Sequence, residues 1–335
     1  MKDFAGKIAF ITGGASGAGF GQAQIFSEAG MKVVIADVRQ DHLDNAMDYF
    51  TDKNAQVHSI KLDVTDRAGF AAAADETERV FGAAPDLLVL TAGVNAFGPV
   101  EASTFEDYDW VMGVNLGGVV NGLVTFVPRM IKTGKGGYIA STVSYGAFIA
   151  APVVAPYAAA KAAVLNLLES YYYALKPYGI GVTALCPASI KSNIYDAVLK
   201  TRPENLKNTG YNANEETQGL LYNALQMGME PRVLAGWMKQ GIENEQFLVV
   251  PYKSAERMVE LELQRFVDYT TLEGVKRLEE RKNAPPTDEQ RRIHREKEGY
   301  DLPMPTDEPP PPAPDVGFGK ARRDIDWVAP DKRVN

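Results

Sequence analysis

The feature that most constrains this chain is its opening. An apolar run, Ile8-Ala9-Phe10-Ile11, passes directly into the turn Thr12-Gly13-Gly14-Ala15-Ser16-Gly17-Ala18-Gly19 and then into helical periodicity over about 18–29. Glycines at 13, 17 and 19 let the backbone turn tightly and come close to a ligand, and a helix starting there aims its unpaired N–H groups and positive dipole end at the same spot. The turn, with Ser16 inside it, is a candidate pyrophosphate site. A glycine cluster alone is weak evidence, and this spacing differs from Gly-x-Gly-x-x-Gly; its position between a strand and a helix gives it weight.

The same unit recurs along the chain. The runs Val33-Val34-Ile35, Val57-His58-Ser59-Ile60, Leu87-Leu88-Val89-Leu90, Tyr138-Ile139-Ala140 and Val182-Thr183-Ala184-Leu185 read as strands. Helical stretches fall near 40–51, 67–81, 105–132 and 156–177, with Gly30 and Gly179 where helices should stop. Alternation of this kind predicts an α/β fold, a doubly wound parallel sheet of the Rossmann-like type. Its ligand should lie beyond the carboxyl ends of the strands, where the winding reverses. A seventh strand is expected at Gln246-Phe247-Leu248-Val249-Val250-Pro251, after an excursion over 188–242 that would cover the site as a lid, and a helix over about 254–282.

The chain has 335 residues. The alternation does not break before about residue 250, so one catalytic domain over 1–282 is expected. A tail over 283–335 follows, because ten of the 20 prolines fall in the last 51 residues. That composition cannot build a core; it fits an extended terminus or an arm docking on a neighbouring subunit. A formal charge of −8 and a pI near 5.1 leave no basic footprint for nucleic acid or an anionic membrane. No run of about 18 apolar residues stands out as a membrane span. Cys186 is the single cysteine, which excludes an intrachain disulfide framework and fits a reducing compartment. The three histidines, His42, His58 and His294, are scattered over a helix, a strand and the tail, so no metal site is expected. Met1 to Gly6 leave no room for a targeting segment, and a soluble, cytoplasmic protein is expected.

Tyr157 and Lys161 carry the chemistry. A spacing of four puts both on one helix face, about 6 Å of rise apart, where a cation would lower a phenol's pKa toward the working pH. Ser144, thirteen positions upstream of Tyr157, adds a hydroxyl for a substrate oxygen. With a dinucleotide site this trio predicts hydride transfer between an alcohol and a carbonyl. Asp37 closes strand 2 eighteen residues beyond Gly19, near the distance expected for the carboxylate that holds an adenosine ribose; it would repel a 2′-phosphate, which favours NAD over NADP. Arg39 is read as a solvated charge at the start of helix 2, although it is also placed to assist a phosphate. Asp63-Val64 suits either an adenine-edge contact or a helix cap.

On the glycine pattern, Asp37, Ala92-Gly93, Asn115, Ser144, Tyr157, Lys161 and Pro187, in this order, the stretch from about Lys7 to Ser192 resembles the short-chain dehydrogenase/reductase family. The resemblance implies that Tyr157 is the acid/base, that Lys161 binds the nicotinamide ribose and lowers the phenol pKa, that Ser144 orients the substrate oxygen, and that Asn115 supports a proton path through Lys161. It further implies cofactor contacts at Ala92, Gly93, Pro187 and Ser192, and pairing into a homodimer or homotetramer through the helices holding Asn115 and Tyr157. Thr91 and Ala188 depart from the family pattern, where asparagine and glycine are usual.

Candidate substrate residues are Asn95 and Phe97 after strand 4, Tyr145 and Phe148 after Ser144, Ile190 and Tyr195 after strand 6, and the 211–240 segment, a set that fits either a roomy aromatic site or simple packing of the lid. Thr91-Ala92-Gly93-Val94-Asn95, Val124-Thr125-Phe126-Val127-Pro128-Arg129-Met130-Ile131 and Ile190-Lys191-Ser192-Asn193-Ile194 are similar to the bacterial Cα-dehydrogenases of lignin β-aryl ether catabolism. That resemblance implies NAD-dependent oxidation of a benzylic alcohol to an aryl ketone. The rival readings are a dehydrogenase of another bulky alcohol, such as a steroid or terpenoid, and a non-catalytic NAD-binding protein.

Overall fold

A computed structural model describes residues 1–207, 209–212, 219, 222–223 and 225–283. The sharp composition change of the tail, and most of the 211–224 stretch, lie outside the described residues. Seven parallel strands form one sheet in the order β3-β2-β1-β4-β5-β6-β7. They are β1 (Ile8–Thr12), β2 (Lys32–Asp37), β3 (Val57–Lys61), β4 (Leu87–Leu90), β5 (Gly137–Thr142), β6 (Ile180–Leu185) and β7 (Leu248–Val249). Every residue of β1 and β4 is buried, as a parallel sheet covered on both faces requires. Ala9 and Ile11 go to one core, Phe10 to the other, so the strand's twofold alternation feeds two apolar layers.

Helices α1 (Gly17–Glu28), α2 (Gln40–Asp52) and α3 (Arg67–Phe81) start within one residue of their expected positions. Asp66 caps α3 by accepting from Ala68 N at 2.9 Å. The long helix expected over 105–132 is interrupted. It runs as α4 (Phe105–Met112), a π-helical turn (Gly113–Gly117) and α5 (Gly118–Thr133). Over 105–133 this stretch is long and apolar enough to cross a bilayer by length and composition, which corrects the expectation that no such run exists. In the fold it is a core helix: Val119, Leu123, Phe126 and Met130 pack against Phe10, Leu88 and Leu90 of the sheet.

Beyond α6 (Ala155–Ala174) the expectations are looser. The excursion holds α7 (Ile194–Lys200), short 3-10 turns and α8 (Pro231–Glu243). β7 is two residues long where six were expected, because it makes only two register pairs with β6 before Pro251, which has no N–H to continue a ladder. The single helix expected over about 254–282 is two, α9 (Ala255–Asp268) and α10 (Leu272–Asn283). At the break the Thr271 hydroxyl accepts from Gly274 N at 3.0 Å and starts the second helix, while buried Asp268 accepts from Arg277 at 2.8 Å.

The winding reverses between β1 and β4. Thr12 Oγ1 accepts from the backbone N–H groups of Thr91 and Ala92 at 3.0 and 3.2 Å, tying the ends of those strands together beneath the crevice.

Candidate active site

Above that crevice lies a cavity of about 610 Å³. Gly13, Ser16, Gly17, Gly19, Asp37, Asp63, Val64, Ala92, Gly93, Asn95, Phe97, Ser144, Tyr157, Lys161, Pro187 and Ser192 all line it. Three residues singled out from the sequence do not: Asn115 lies fully buried beneath it, and Phe148 and Tyr195 turn elsewhere. Phe148 packs on Tyr145 at 5.8 Å and Tyr195 edges onto Tyr222 at 4.8 Å, so both aromatics go into packing.

At one end of the cavity stands the glycine turn. A Cβ on Gly19 would sit 2.1 Å from the Gly13 carbonyl oxygen, so the turn closes only without that carbon. Ser16 occupies the N-cap of α1, yet its side chain makes no capping hydrogen bond, which leaves the helix's positive end to an outside anion. Ser192, from the loop after β6, lies against Gly17.

Asp37 ends β2 almost completely buried. Its Oδ1 accepts from Arg39 N at 3.1 Å. Burial pushes the carboxyl up from its ordinary value, and the N–H groups of Arg39 and Ala15 and the charges of His42 and Arg39 pull it back. The Arg39 guanidinium, expected as a solvated charge, is instead mostly buried and held by Asp41, donating from Nε at 3.0 Å. Asp63 spends one oxygen on its own turn, accepting from Thr65 N and Oγ1 at 2.9 and 2.8 Å.

At the other end stand Ser144, Tyr157 and Lys161. Ser144 Oγ accepts from Gly146 N at 3.0 Å, which fixes the hydroxyl at the end of β5. Lys161 is 5% exposed, donates to the Thr142 carbonyl at 3.1 Å and lies 5.6 Å from the centroid of the Tyr157 ring. Burial holds its ammonium down at about 8. The same burial pushes the Tyr157 phenol up, and the counter-pull comes from its hydrogen bond with Ser144. Lys161 lies beside the ring, but in the chain by itself burial is the largest influence on the phenol.

A buried layer holds these groups in place. Thr91, one of the family departures, donates to Gln22 Oε1 at 2.7 Å, and Gln22 donates to Thr142 Oγ1 at 2.9 Å, on the residue whose carbonyl receives Lys161. Asn115 sits in the π turn, a distortion that recurs at functional sites. Its carboxamide clamps the Val94 peptide from both sides, accepting from N and donating to O, each at 2.8 Å. The close approach needs Gly93: a Cβ there would meet Asn115 Oδ1 at 3.1 Å and Lys161 Nζ at 3.6 Å.

Sequence reasoning missed the apolar wall of Trp110, Val114, Ile149, Val154 and Ala197, while Leu225, which also lines the cavity, falls in the expected 211–240 segment. It also missed what fastens the lid. Arg202, buried, pairs with fully buried Asp107 of α4 and donates to Thr209 Oγ1 at 2.9 Å, with its guanidinium 5.3 Å from the centre of the Trp110 ring. The Asp107–Thr104 capping box was available as a local signal, but nothing in the sequence linked it to a residue 95 positions away.

The fold and the site together define a dinucleotide-dependent oxidoreductase. The sequence profile described as short chain dehydrogenase matches residues 7–203, and the chain belongs to that family. It is 48% identical over 268 residues to the C alpha-dehydrogenase of Sphingobium sp. (strain NBRC 103272 / SYK-6), covering 80% of this chain and 88% of that protein. Among solved structures it is similar to the LigD apo form from Sphingobium sp. strain SYK-6 (42% identity, TM-score 0.67, 79% of this chain and 98% of that one). It is also similar to a short chain dehydrogenase/reductase from Burkholderia phymatum in complex with NAD (31% identity, TM-score 0.73, 81% and 96%).

Proposed function

We propose that this enzyme oxidises the benzylic Cα-alcohol of a lignin-derived β-aryl ether to the ketone, with NAD as oxidant. The observation that carries the reading is one cavity bordered by the Ser144, Tyr157 and Lys161 trio, by Asp37 at the ribose end, and by an apolar wall that includes Trp110 and Phe97. The name of the 48% identical relative supports the choice of alcohol.

The residues fit the cofactor. The uncapped start of α1 would receive the pyrophosphate and Asp37 the adenosine ribose hydroxyls, while Arg39, engaged by Asp41, favours NAD over its phosphorylated form. When bound, NAD supplies the hydride acceptor and a positive ring. Ser144 would donate to the substrate oxygen, and Tyr157, as the phenolate favoured by the Lys161 ammonium and the positive ring, would take its hydroxyl proton as the carbonyl forms. Lys161 holds the nicotinamide ribose. Asn115, with its carboxamide engaged by Val94, would serve a proton path by holding the loop at Gly93 and Val94 beside Lys161.

The test is incubation with a guaiacylglycerol aryl ether and NAD, followed by NADH absorbance and ketone formation. Stoichiometric appearance of both is expected. Turnover of steroid or terpenoid alcohols with none of the aryl ether contradicts the substrate; cofactor binding without turnover of any alcohol contradicts the reaction.

A further inference from the structure

Asn95 lies on the loop leaving β4, is 7% exposed and lines the cavity, yet its Oδ1 is buried with no hydrogen-bond partner among the described residues. A buried amide oxygen without a donor carries its full desolvation cost, and native structures rarely keep one without reason. The loop is not free to turn it away. Asn115 clamps the peptide of Val94, Ala96 is buried against Trp110 and Tyr211, and Gly98 N donates to Val153 O at 3.0 Å. A side chain fixed on both sides and left unpaired at a cavity wall points to a donor that arrives with the ligand.

Its location says which part of the ligand. Val94 and Ala96, on either side, belong to the apolar cluster against which Tyr157 packs, so the carboxamide stands near the reacting end of the cavity. The reacting hydroxyl itself goes to Ser144 and Tyr157. A second hydroxyl, which both donates and accepts, suits a carboxamide. We propose that Asn95 Oδ1 accepts a hydrogen bond from a second hydroxyl on the aliphatic side chain of the substrate, close to the carbinol carbon, and so selects aryl diols over aryl mono-alcohols. The inference rests on the reading of the site as that of an aryl alcohol dehydrogenase.

Two probes with one carbon skeleton test it: a phenylpropanediol with a terminal second hydroxyl, and the matching phenylpropanol without it. Both are assayed with NAD on the full chain and on Asn95→Leu and Asn95→Asp. The wild type should favour the diol. Asn95→Leu should lower kcat/KM for the diol about ten- to hundredfold and move the phenylpropanol less than about twofold, whereas Asn95→Asp, which keeps an acceptor, should retain the preference. Asn95→Leu should also melt no lower than the wild type, since no intramolecular partner is lost, and should bind NAD unchanged by fluorescence quenching. Equal losses on both probes, weakened NAD binding, or a wild type without preference would overturn the inference alone. A wild type inactive on both probes and on the aryl ether would overturn the dehydrogenase reading and this inference with it.

Discussion

The crevice half of the molecule and the lid half hold groups around the same cavity by different means. In the crevice half, functional residues sit at the ends of β2, β4 and β5, at the glycine turn and in the first turns of α6, and a buried layer of hydrogen bonds through the neutral residues Gln22, Thr91, Thr142 and Asn115 holds them. In the lid half, the described residues of 188–212 form one short helix and two 3-10 turns rather than sheet, and the fastening is a buried cluster: Arg202 and Thr209 on Asp107, with Tyr211 donating to Val153 O at 3.2 Å. The crevice has no room for an added carbon at Gly19, where a Cβ would sit 2.1 Å from the Gly13 carbonyl oxygen. A lid built on one buried ion pair depends on the balance of two charges. Breaking a buried pair from one side leaves an uncompensated charge, while replacing both partners removes the penalty along with the attraction.

That contrast sets the order of expected effects. Arg202→Met should cost about 3–5 kcal/mol in urea unfolding by stranding Asp107, and adding Asp107→Asn should recover much of it. Additive losses in the double variant would show that the pair does not act as a unit.

Lys161 gives the opposite sign in the crevice. Its folded pKa of about 8 lies below the ordinary 10.5, so the unfolded chain holds that proton more tightly than the folded one. The destabilisation is complete below pH 8 and fades as pH climbs from about 8 past 10. Lys161→Met should therefore be more stable than wild type at pH 7, by about 1–3 kcal/mol after losing the bond to Thr142, with the gap closing at alkaline pH, while turnover collapses. Melting curves of both proteins across pH check this; a variant less stable at pH 7 would mean that the buried ammonium is a net support of the fold.

Asp37→Asn should have the mildest effect, since it leaves the fold intact and touches only cofactor choice. Loss of a charge-assisted pair of hydrogen bonds should narrow the NAD over NADP ratio of kcat/KM about ten- to hundredfold. An unchanged ratio would place the discrimination elsewhere, with Arg39 and Asp41 the first candidates.

The same contrast explains how much was legible in the sequence. Strand β4 and helix α3 could be bounded from residue pattern because burial on two faces, or a cap and a periodic stripe, is written locally. The glycine turn, Asp37, Ser144, Tyr157 and Lys161 were legible because their chemistry demands fixed spacings within one or two elements. The π turn at Asn115 was not, since its sequence satisfies helical periodicity and the distortion shows only in the backbone hydrogen bonds. Nor was the place of Trp110, which lines the cavity with Arg202 from a distant segment against its ring. Phe148 and Tyr195 misled for the complementary reason: aromatics suit packing and pocket walls equally, and only the tertiary neighbour decides. Helix spacing showed an ammonium near the phenol but not the burial that acts on both groups, which only the fold reveals.

The central claim is that the phenol of Tyr157 is the proton acceptor in a site otherwise complete. Tyr157→Phe tests it most directly, because one oxygen is removed while Ser144, Lys161 and the cofactor end stay in place. NAD binding and melting temperature should stay near wild type, and oxidation of the benzylic alcohol should fall about 10²- to 10⁴-fold. Turnover within a few fold of wild type, with the variant folded and NAD bound, would contradict the account.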